Sequence, residues 1–185
     1  MINIRKYQPK DKENLRKICI ATSKLPNEKK VDQDFLTVTF NDYYTENEPD
    51  NIFVAVNEDD EAVGYIICSE NFYDFYDTMK KFYLPEIREL GFNYYTMALS
   101  EILTHKAFSK KYPAHLHIDI LDICQGQGVG TRLMNELKAH LKAKKINNVM
   151  LSCGMSNKQA VNFYLKNDFK IIKNIFGSAI MACEF

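Results

Sequence analysis

Asp119-Ile120-Leu121-Asp122-Ile123-Cys124-Gln125-Gly126-Gln127-Gly128-Val129-Gly130-Thr131-Arg132 decides the fold of this chain. Upstream, the run from His115 to Ile123 is apolar on one face through Leu116, Ile118 and Ile120, which predicts a strand central in its sheet. Downstream, Leu133, Met134, Leu137 and Leu141 recur at helical spacing in a helix expected from Val129 to about Lys144. Lys138, Lys142, Lys144 and Lys145 suit the C-terminal end of its dipole. A strand that passes through glycines into a helix aims bare backbone N–H groups at whatever anion sits above the turn.

The same pattern continues. Val149-Met150-Leu151-Ser152-Cys153 reads as a buried strand, so strand, helix and strand form a crossover unit with a parallel pair. Asn157 to Tyr164 is a short helix that carries Phe163 and Tyr164 near the same cleft. Ser156 with Gln159 spells a capping box for it, and Asn167 suits a left-handed C-cap. Phe169 to Ile175 and Ser178 to Phe185 close the chain as a hairpin around Gly177. The whole predicts a site for a phosphorylated cofactor with a phenol near its reactive end.

Toward the N-terminus, Ile2, Ile4 and Tyr7 alternate with polar residues in a strand ended by Pro9. A helix follows from Asp11 as N-cap, with Leu15, Ile18, Cys19 and Thr22 on one face and Pro26 beyond its end. A second helix runs from about Asp32 through Phe35, Leu36, Phe40 and Tyr43. Ile52 to Val56 and Ala62 to Cys68 form a hairpin around Glu58-Asp59-Asp60-Glu61. From Asn71 to Tyr112 the chain is dense in aromatics and reads as two helices, broken near Pro85 or at Gly91. Met97, Leu99, Ile102 and Leu103 form a buried stripe in the second. Most of these rings are core filler, with a few left to line a pocket.

At 185 residues the chain fits a single domain, residues 1–185, with a helical, aromatic-rich insertion at about 71–112. Its 24 basic and 24 acidic residues balance, which disfavours binding nucleic acid or an anionic membrane through overall charge. No stretch approaches the roughly 20 apolar residues that a membrane span needs, and Met1-Ile2-Asn3-Ile4-Arg5-Lys6 holds no apolar run long enough to be expected of a signal peptide. Five scattered cysteines fit buried thiols in a reducing compartment, and no pair has zinc-ligand spacing. The expectation is a cytoplasmic protein without a structural metal.

A glycine turn alone is a weak signal, so two nucleotide readings are tested on spacing. A dinucleotide fingerprint requires glycine or alanine where Thr131 stands and an acidic residue at a later strand end; neither is present. The triphosphatase loop requires Lys then Ser or Thr after its last glycine, where this chain has Thr131 and Arg132.

Gln-x-x-Gly-x-Gly at Gln125, Gly128 and Gly130, followed by Asn-x-x-Ala-x-x-Phe-Tyr at Asn157, Ala160, Phe163 and Tyr164, resembles the GNAT superfamily of acetyl-CoA-dependent N-acetyltransferases. The clear resemblance covers roughly His115 to Ile172. Pro113-Ala114-His115-Leu116-His117-Ile118-Asp119 also looks like the branch of acetyltransferase-like domains joined to O-GlcNAc hydrolases. The resemblance implies an α/β (α+β) fold: a mixed, splayed central sheet flanked by helices, with the helical insertion ahead of the cofactor-binding strand and acetyl-CoA in the gap. It implies that the main chain of Gln125, Gly126, Gln127, Gly128, Val129, Gly130 and Thr131 holds the pyrophosphate. Ile120, Leu121 and Asn157 would then hold the pantetheine arm as an added strand would be held. Asp168 departs from the glycine common before Phe169, and Asp122 from a frequent proline.

The activity so implied is acetyl transfer to an amine by direct attack in a ternary complex. Tyr164 is the candidate to hydrogen-bond the departing thiolate, a phenol of pKa about 10 beside a thiol of about 8.5. His115, His117 and Asp119 stand two apart and share a strand face, which makes His117 and Asp119 the candidates to accept the amine's proton. Arylalkylamine acetyltransferases carry a similar His-x-His pair. Here it stands a single residue out of register, an offset that a strand bulge would absorb. The expected partner is a small-molecule amine, with a homodimer left open. A catalytically weak acyl-CoA-binding regulatory module and a protein lysine or N-terminal acetyltransferase are the alternatives.

Overall fold

Seven β-rich runs, each closed by a turn former or a helix cap, pair into one sheet. They are β1 (Asn3–Lys6), β2 (Phe53–Val56), β3 (Ala62–Ser69), β4 (His115–Ile120), β5 (Asn148–Gly154), β6 (Lys170–Ile175) and β7 (Ser178–Glu184). Their spatial order is β1-β2-β3-β4-β5-β7-β6. The computed structural model describes residues 2–185. Neighbouring strands are antiparallel except β4 and β5, which are parallel and in register only at His115 and Met150. By contrast β3 and β4 stay paired from Ser69↔His115 to Gly64↔Ile120. The sheet is therefore continuous up to β4 and then splays, and the splay creates the site.

The helices are α1 (Lys12–Thr22), α2 (Lys30–Thr37), α3 (Tyr43–Asn47), α4 (Phe72–Thr78), α5 (Leu84–Leu90), α6 (Phe92–Lys106), α7 (Val129–Ala143) and α8 (Lys158–Lys166). Alternation along β3 sorts them into two layers. Ile66 and Cys68 point to the layer of α7, while Tyr65 and Ile67 point to a second core built with α1, α2 and the insertion. In α7, Leu133, Met134, Leu137 and Leu141 are all 0 % exposed, as their spacing predicts, each contributing about 1.5–3 kcal/mol. No helix among the described residues is long and apolar enough to cross a membrane.

Several local expectations need correction. The first strand ends at Lys6, and the strand expected to reach Ile123 ends at Ile120, because Asp122–Cys124 tightens into a 3-10 turn. Pro85 does not end the helix: α4 runs through one wide π turn, Met79–Tyr83, into α5, and Pro85 stands directly after that wide turn, where the regular hydrogen-bond ladder is already interrupted. The break comes at Gly91. In α6 the buried stripe is Ala98, Ile102 and His105, while Met97 and Leu103 are 41 % and 45 % exposed. Both faces satisfy helical spacing, and ring packing of His105 on His115, centroids 5.1 Å apart, accompanies the one that turns inward.

Ser156 and Gln159 form no capping box. Asn157 is the N-cap, its Oδ1 accepting the Ala160 N–H at 3.1 Å, and Gln159 turns to the glycine loop instead. At the other end Asn167 has φ −104°, and the left-handed residue is Asp168 at φ 69°.

Candidate active site

The glycines of the turn do different jobs. Gly126 and Gly128 have φ of 74° and 73°, a region that side chains avoid, and a Cβ on either would meet nothing within 4 Å. Open space therefore lies above them. A Cβ on Gly130 would stand 2.8 Å from Phe163 Cε2 and 3.2 Å from Ile120 Cδ1, so this glycine exists to let α7 pack against α8 and β4. Gly128 caps α7 without a side-chain hydrogen bond, and the first intrahelical bond is Arg132 N–H to Gly128 O at 3.1 Å. The preceding amides, those of Val129, Gly130 and Thr131 among them, thus have no intrahelical acceptor.

Side chains brace this turn. Gln125 Nε2 donates to Ile120 O at 3.0 Å and to Asp122 Oδ1 at 2.7 Å, and Gln125 Oε1 accepts from Gln159 Nε2 at 2.7 Å. One glutamine thereby ties the end of β4 to the turn and to α8. Gln127 Nε2 donates to Ile123 O at 3.0 Å.

Alternation also decides which main-chain groups of β4 meet the splay. Leu121 N–H donates to Val63 O at 3.0 Å on the β3 side, whereas Ala114 O accepts from Met150 N–H at 2.9 Å on the β5 side. Ile118 and Ile120 share the parity of Ala114, so their N–H groups face the gap where β5 has moved away. Leu121 turns its amide to β3 and its side chain to the insertion core. The β3–β4 register carries no shift, so no bulge there realigns the histidine pair.

Tyr164 is 8 % exposed, its ring set between Phe163 and Phe169 at 5.3 and 5.6 Å. Burial raises its phenol above the usual value, with Cys153 and Asp119 adding to the effect. The group is thus a proton holder at neutral pH, able to donate and unable to act as a base.

His115, His117 and Asp119 share one face of β4, as alternation predicts, yet their surroundings differ. His115 is sealed in an aromatic box with Phe75 at 4.5 Å and Tyr44 at 6.0 Å, and neither ring nitrogen has a partner. His117 and Asp119 keep partial access to solvent. His117 packs edge-on with Phe40 at 5.6 Å and Tyr44 at 5.8 Å, and burial, aided by His105, lowers its pKa to about 4. It is a neutral imidazole at physiological pH. Asp119 Oδ2 accepts from Tyr65 OH at 2.6 Å, and Thr22 Oγ1 stands 3.0 Å from its Oδ1; burial raises its carboxyl. Thr22, grouped with the apolar face of α1 by its spacing, turns its hydroxyl to this carboxylate.

Sequence spacing missed Tyr65, Thr22, Glu101 and His105. Thr22 and Tyr65 are far from β4 in the chain, Glu101 and His105 lie on the helix before it, and no local pattern marks any of them. Glu101 Oε1 lies 3.9 Å from His105 Nε2, and its carboxyl is raised by burial, with His117 and the Ser152 hydroxyl acting against the rise. The described residues contain no cluster of three or more His, Cys, Asp or Glu arranged to hold a metal.

Known structures share this architecture. The crystal structure of SsHAT matches with a TM-score of 0.89 over 99 % of this chain and 98 % of that one, at 24 % identity. PaiA N-acetyltransferase from Thermoplasma acidophilum in complex with coenzyme A matches with a TM-score of 0.64, 16 % identity and coverage of 100 % and 99 %. An apo form of an agmatine N-acetyltransferase variant matches with a TM-score of 0.65, 14 % identity and coverage of 98 % and 97 %. These likenesses are to the fold. Residues 19–169 match the acetyltransferase (GNAT) family, a span that takes in the splay, the glycine turn and the Tyr164 helix together, and the chain belongs to that family.

Proposed function

We propose that this acetyltransferase-family member moves the acetyl group of acetyl-CoA to an amine of a small-molecule acceptor, by direct attack in a ternary complex. The observation that carries the reading is the pairing of an uncapped α7 N-terminus, beneath open space at Gly126 and Gly128, with unpaired main-chain groups where β4 leaves β5. That donor set fits a diphosphate joined to an extended arm. Main-chain groups of Gln125, Gly126, Gln127, Gly128, Val129, Gly130 and Thr131 hold the diphosphate. Ile120 offers its gap-facing N–H to the arm, Leu121 packs beneath it, and Asn157 contributes its amide. Bound there, acetyl-CoA supplies an activated thioester.

The residues on the other side of the splay handle protons. The reacting amine gives its proton to His117 or Asp119 as the new C–N bond forms, and the departing thiolate takes one from Tyr164. Burial keeps His117 neutral, with a lone pair free for a proton, and by the same cause makes it a weaker base than a free imidazole. Phe40 and Tyr44, from the segment between α2 and β2, and His105 of the insertion pack around His117, which supports a covered pocket for a small acceptor over an open groove for a protein chain. Five free cysteines, four of them buried, fit a place in the reducing cytoplasm.

Isothermal calorimetry with coenzyme A, followed by thiol release from acetyl-CoA across a panel of amines, tests the reading. Coenzyme A uptake with release that depends on an added amine is expected. Uptake with no turnover on any amine or peptide leaves a regulatory acyl-CoA-binding module, turnover on peptides alone leaves a protein acetyltransferase, and absence of uptake removes the transferase reading.

A further inference from the structure

Buried carboxylates elsewhere in this protein are locked in their charged form by arginine. Asp11 is gripped by Arg5 through Nη1 at 2.7 Å and Nη2 at 2.9 Å, and Asp42 by Arg16 through Nε at 2.8 Å and Nη2 at 2.7 Å. Asp119 is held differently. Its hydrogen-bond partners among the described residues are two hydroxyls, those of Tyr65 on β3 and Thr22 at the end of α1. A guanidinium only donates and keeps its charge, so it fixes the charge opposite; a hydroxyl can turn its hydrogen elsewhere.

The two hydroxyls are not equivalent. Tyr65 is 0 % exposed, and its OH stands 2.6 Å from Asp119 Oδ2, within the range of a charge-assisted O–H···O⁻ bond. Burial, with Asp119 adding to it, raises this phenol, so it keeps its proton and donates throughout. Thr22 Oγ1 has one hydrogen and three acceptors in reach: Asp119 Oδ1 at 3.0 Å, Ile18 O at 2.9 Å and Cys19 O at 3.4 Å. With Asp119 charged, that hydrogen serves Oδ1. With Asp119 protonated, it turns to Ile18 O and leaves Oγ1 free to accept. One arrangement of the chain therefore satisfies both protonation states, as a group that gains and loses a proton in each cycle requires. His117 has no such support. Its ring touches Phe40, Tyr44 and His105, and among the described residues neither nitrogen has a hydrogen-bond partner to fix a tautomer or hold the charged form.

The titratable groups that face Asp119 from neighbouring elements are Tyr65 on β3, Cys19 on α1 and Tyr164 on α8, each raised by burial and neutral at physiological pH. We propose that Tyr65 and Thr22 are positioning residues that make Asp119, and not His117, the acceptor of the amine's proton: Tyr65 pins Oδ2, and Thr22 swings its hydroxyl from Oδ1 to Ile18 O as the carboxylate is neutralised. The assignment rests on the acetyltransferase reading above. The amine N–H bond breaks and an O–H bond forms on Asp119 as the C–N bond forms; the C–S bond breaks and its sulfur takes the Tyr164 proton. Water then carries the proton from Asp119 back to the Tyr164 oxygen.

Infrared difference titration reads the Asp119 carboxyl directly, as the C=O band that Asp119→Asn removes. Tyr65→Phe, which keeps the ring, is expected to raise the midpoint by about one pH unit or more and Thr22→Val by about half a unit, while Thr22→Ser stays close to wild type. The acid limb of kcat against pH, at saturating amine from the panel above, should move by the same amounts while coenzyme A affinity by calorimetry holds. Asp119→Asn should lower kcat by about a hundredfold, and His117→Gln by less than about tenfold. A carboxyl midpoint unmoved in Tyr65→Phe or in Thr22→Val overturns the positioning roles. Midpoints that move while the kinetic limb stays, or a larger loss in His117→Gln than in Asp119→Asn, overturn Asp119 as the proton acceptor and leave the acetyltransferase reading intact. Wild type without turnover on any amine removes that reading, and the proposal with it.

Discussion

A single methyl group separates the two jobs of glycine in the turn. At Gly128 it would have room but the wrong backbone, with φ at 73°, so Gly128→Ala should lower stability by about 1–2 kcal/mol through strain alone and weaken coenzyme A binding. At Gly130 it would have an acceptable backbone but no room, and Gly130→Ala should lower stability by about 1–3 kcal/mol by pushing Phe163 aside. Urea unfolding of both, and of Gly130→Ala with Phe163→Leu, checks this: the pair should recover part of the loss, because the two sites share one contact. At Tyr164 only the hydroxyl is at issue. The ring packs between Phe163 and Phe169, so Tyr164→Phe should keep its melting temperature and coenzyme A affinity while turnover falls by about tenfold or more. Unaltered steady-state turnover would remove Tyr164 from the proton path.

At the scale of elements, α6 and β4 share an unusual seam. His105, His115 and His117 bring three imidazoles together, with ring centroids 5.1 Å apart for the first pair and 6.5 Å for His105 and His117. Burial lowers His105 and His117 to about 4 and holds His115 well below its usual value, against about 6.5 in the unfolded chain. The unfolded chain therefore binds more protons between these values. The stability that the seam contributes is whole above about pH 6.5 and is lost as pH falls toward about 4, by up to about 1.4 kcal/mol per pH unit for each imidazole. Melting temperature against pH should bend downward across that window, and His115→Phe should flatten the bend by about one proton, since an apolar ring fills the same box without two unpartnered nitrogens. A slope that His115→Phe leaves unchanged would place the acid sensitivity elsewhere. Two π turns, Val38–Asp42 and Met79–Tyr83, are a second feature of element scale. The first carries Phe40 to His117 and Asp42 to Arg16 within one wide turn, which regular helical spacing does not foretell.

For the whole molecule, one sheet carries both hydrophobic layers, and we propose that the chain folds as one unit, with the insertion as part of it. Calorimetric melting in a single transition checks this, and two separated transitions would divide the insertion from the sheet. Arg16, one-third exposed, is the cation for Asp42, 4 % exposed, and ties α1 to the segment before α3. Arg16→Ala should therefore cost about 2–3 kcal/mol in urea unfolding, below the cost for a fully buried pair because the guanidinium is partly hydrated.

What the sequence determined by itself was local or periodic: the strand, glycine turn and helix from His115 to Ala143, the inward face of Leu133, Met134, Leu137 and Leu141, and the common side of His115, His117 and Asp119. Each follows from a repeat of two or 3.6 residues, or from a residue type with few conformations open to it. Tertiary structure decided the rest. It chose His105 over Leu103 for the inner face of α6, set Asn157 as the N-cap of α8 and Asp168 as the left-handed residue beyond its end, and turned Thr22 and Tyr65 to Asp119. Those choices depend on groups distant in the chain whose packing and desolvation energies exist only once the layers close, and no spacing along the sequence carries them.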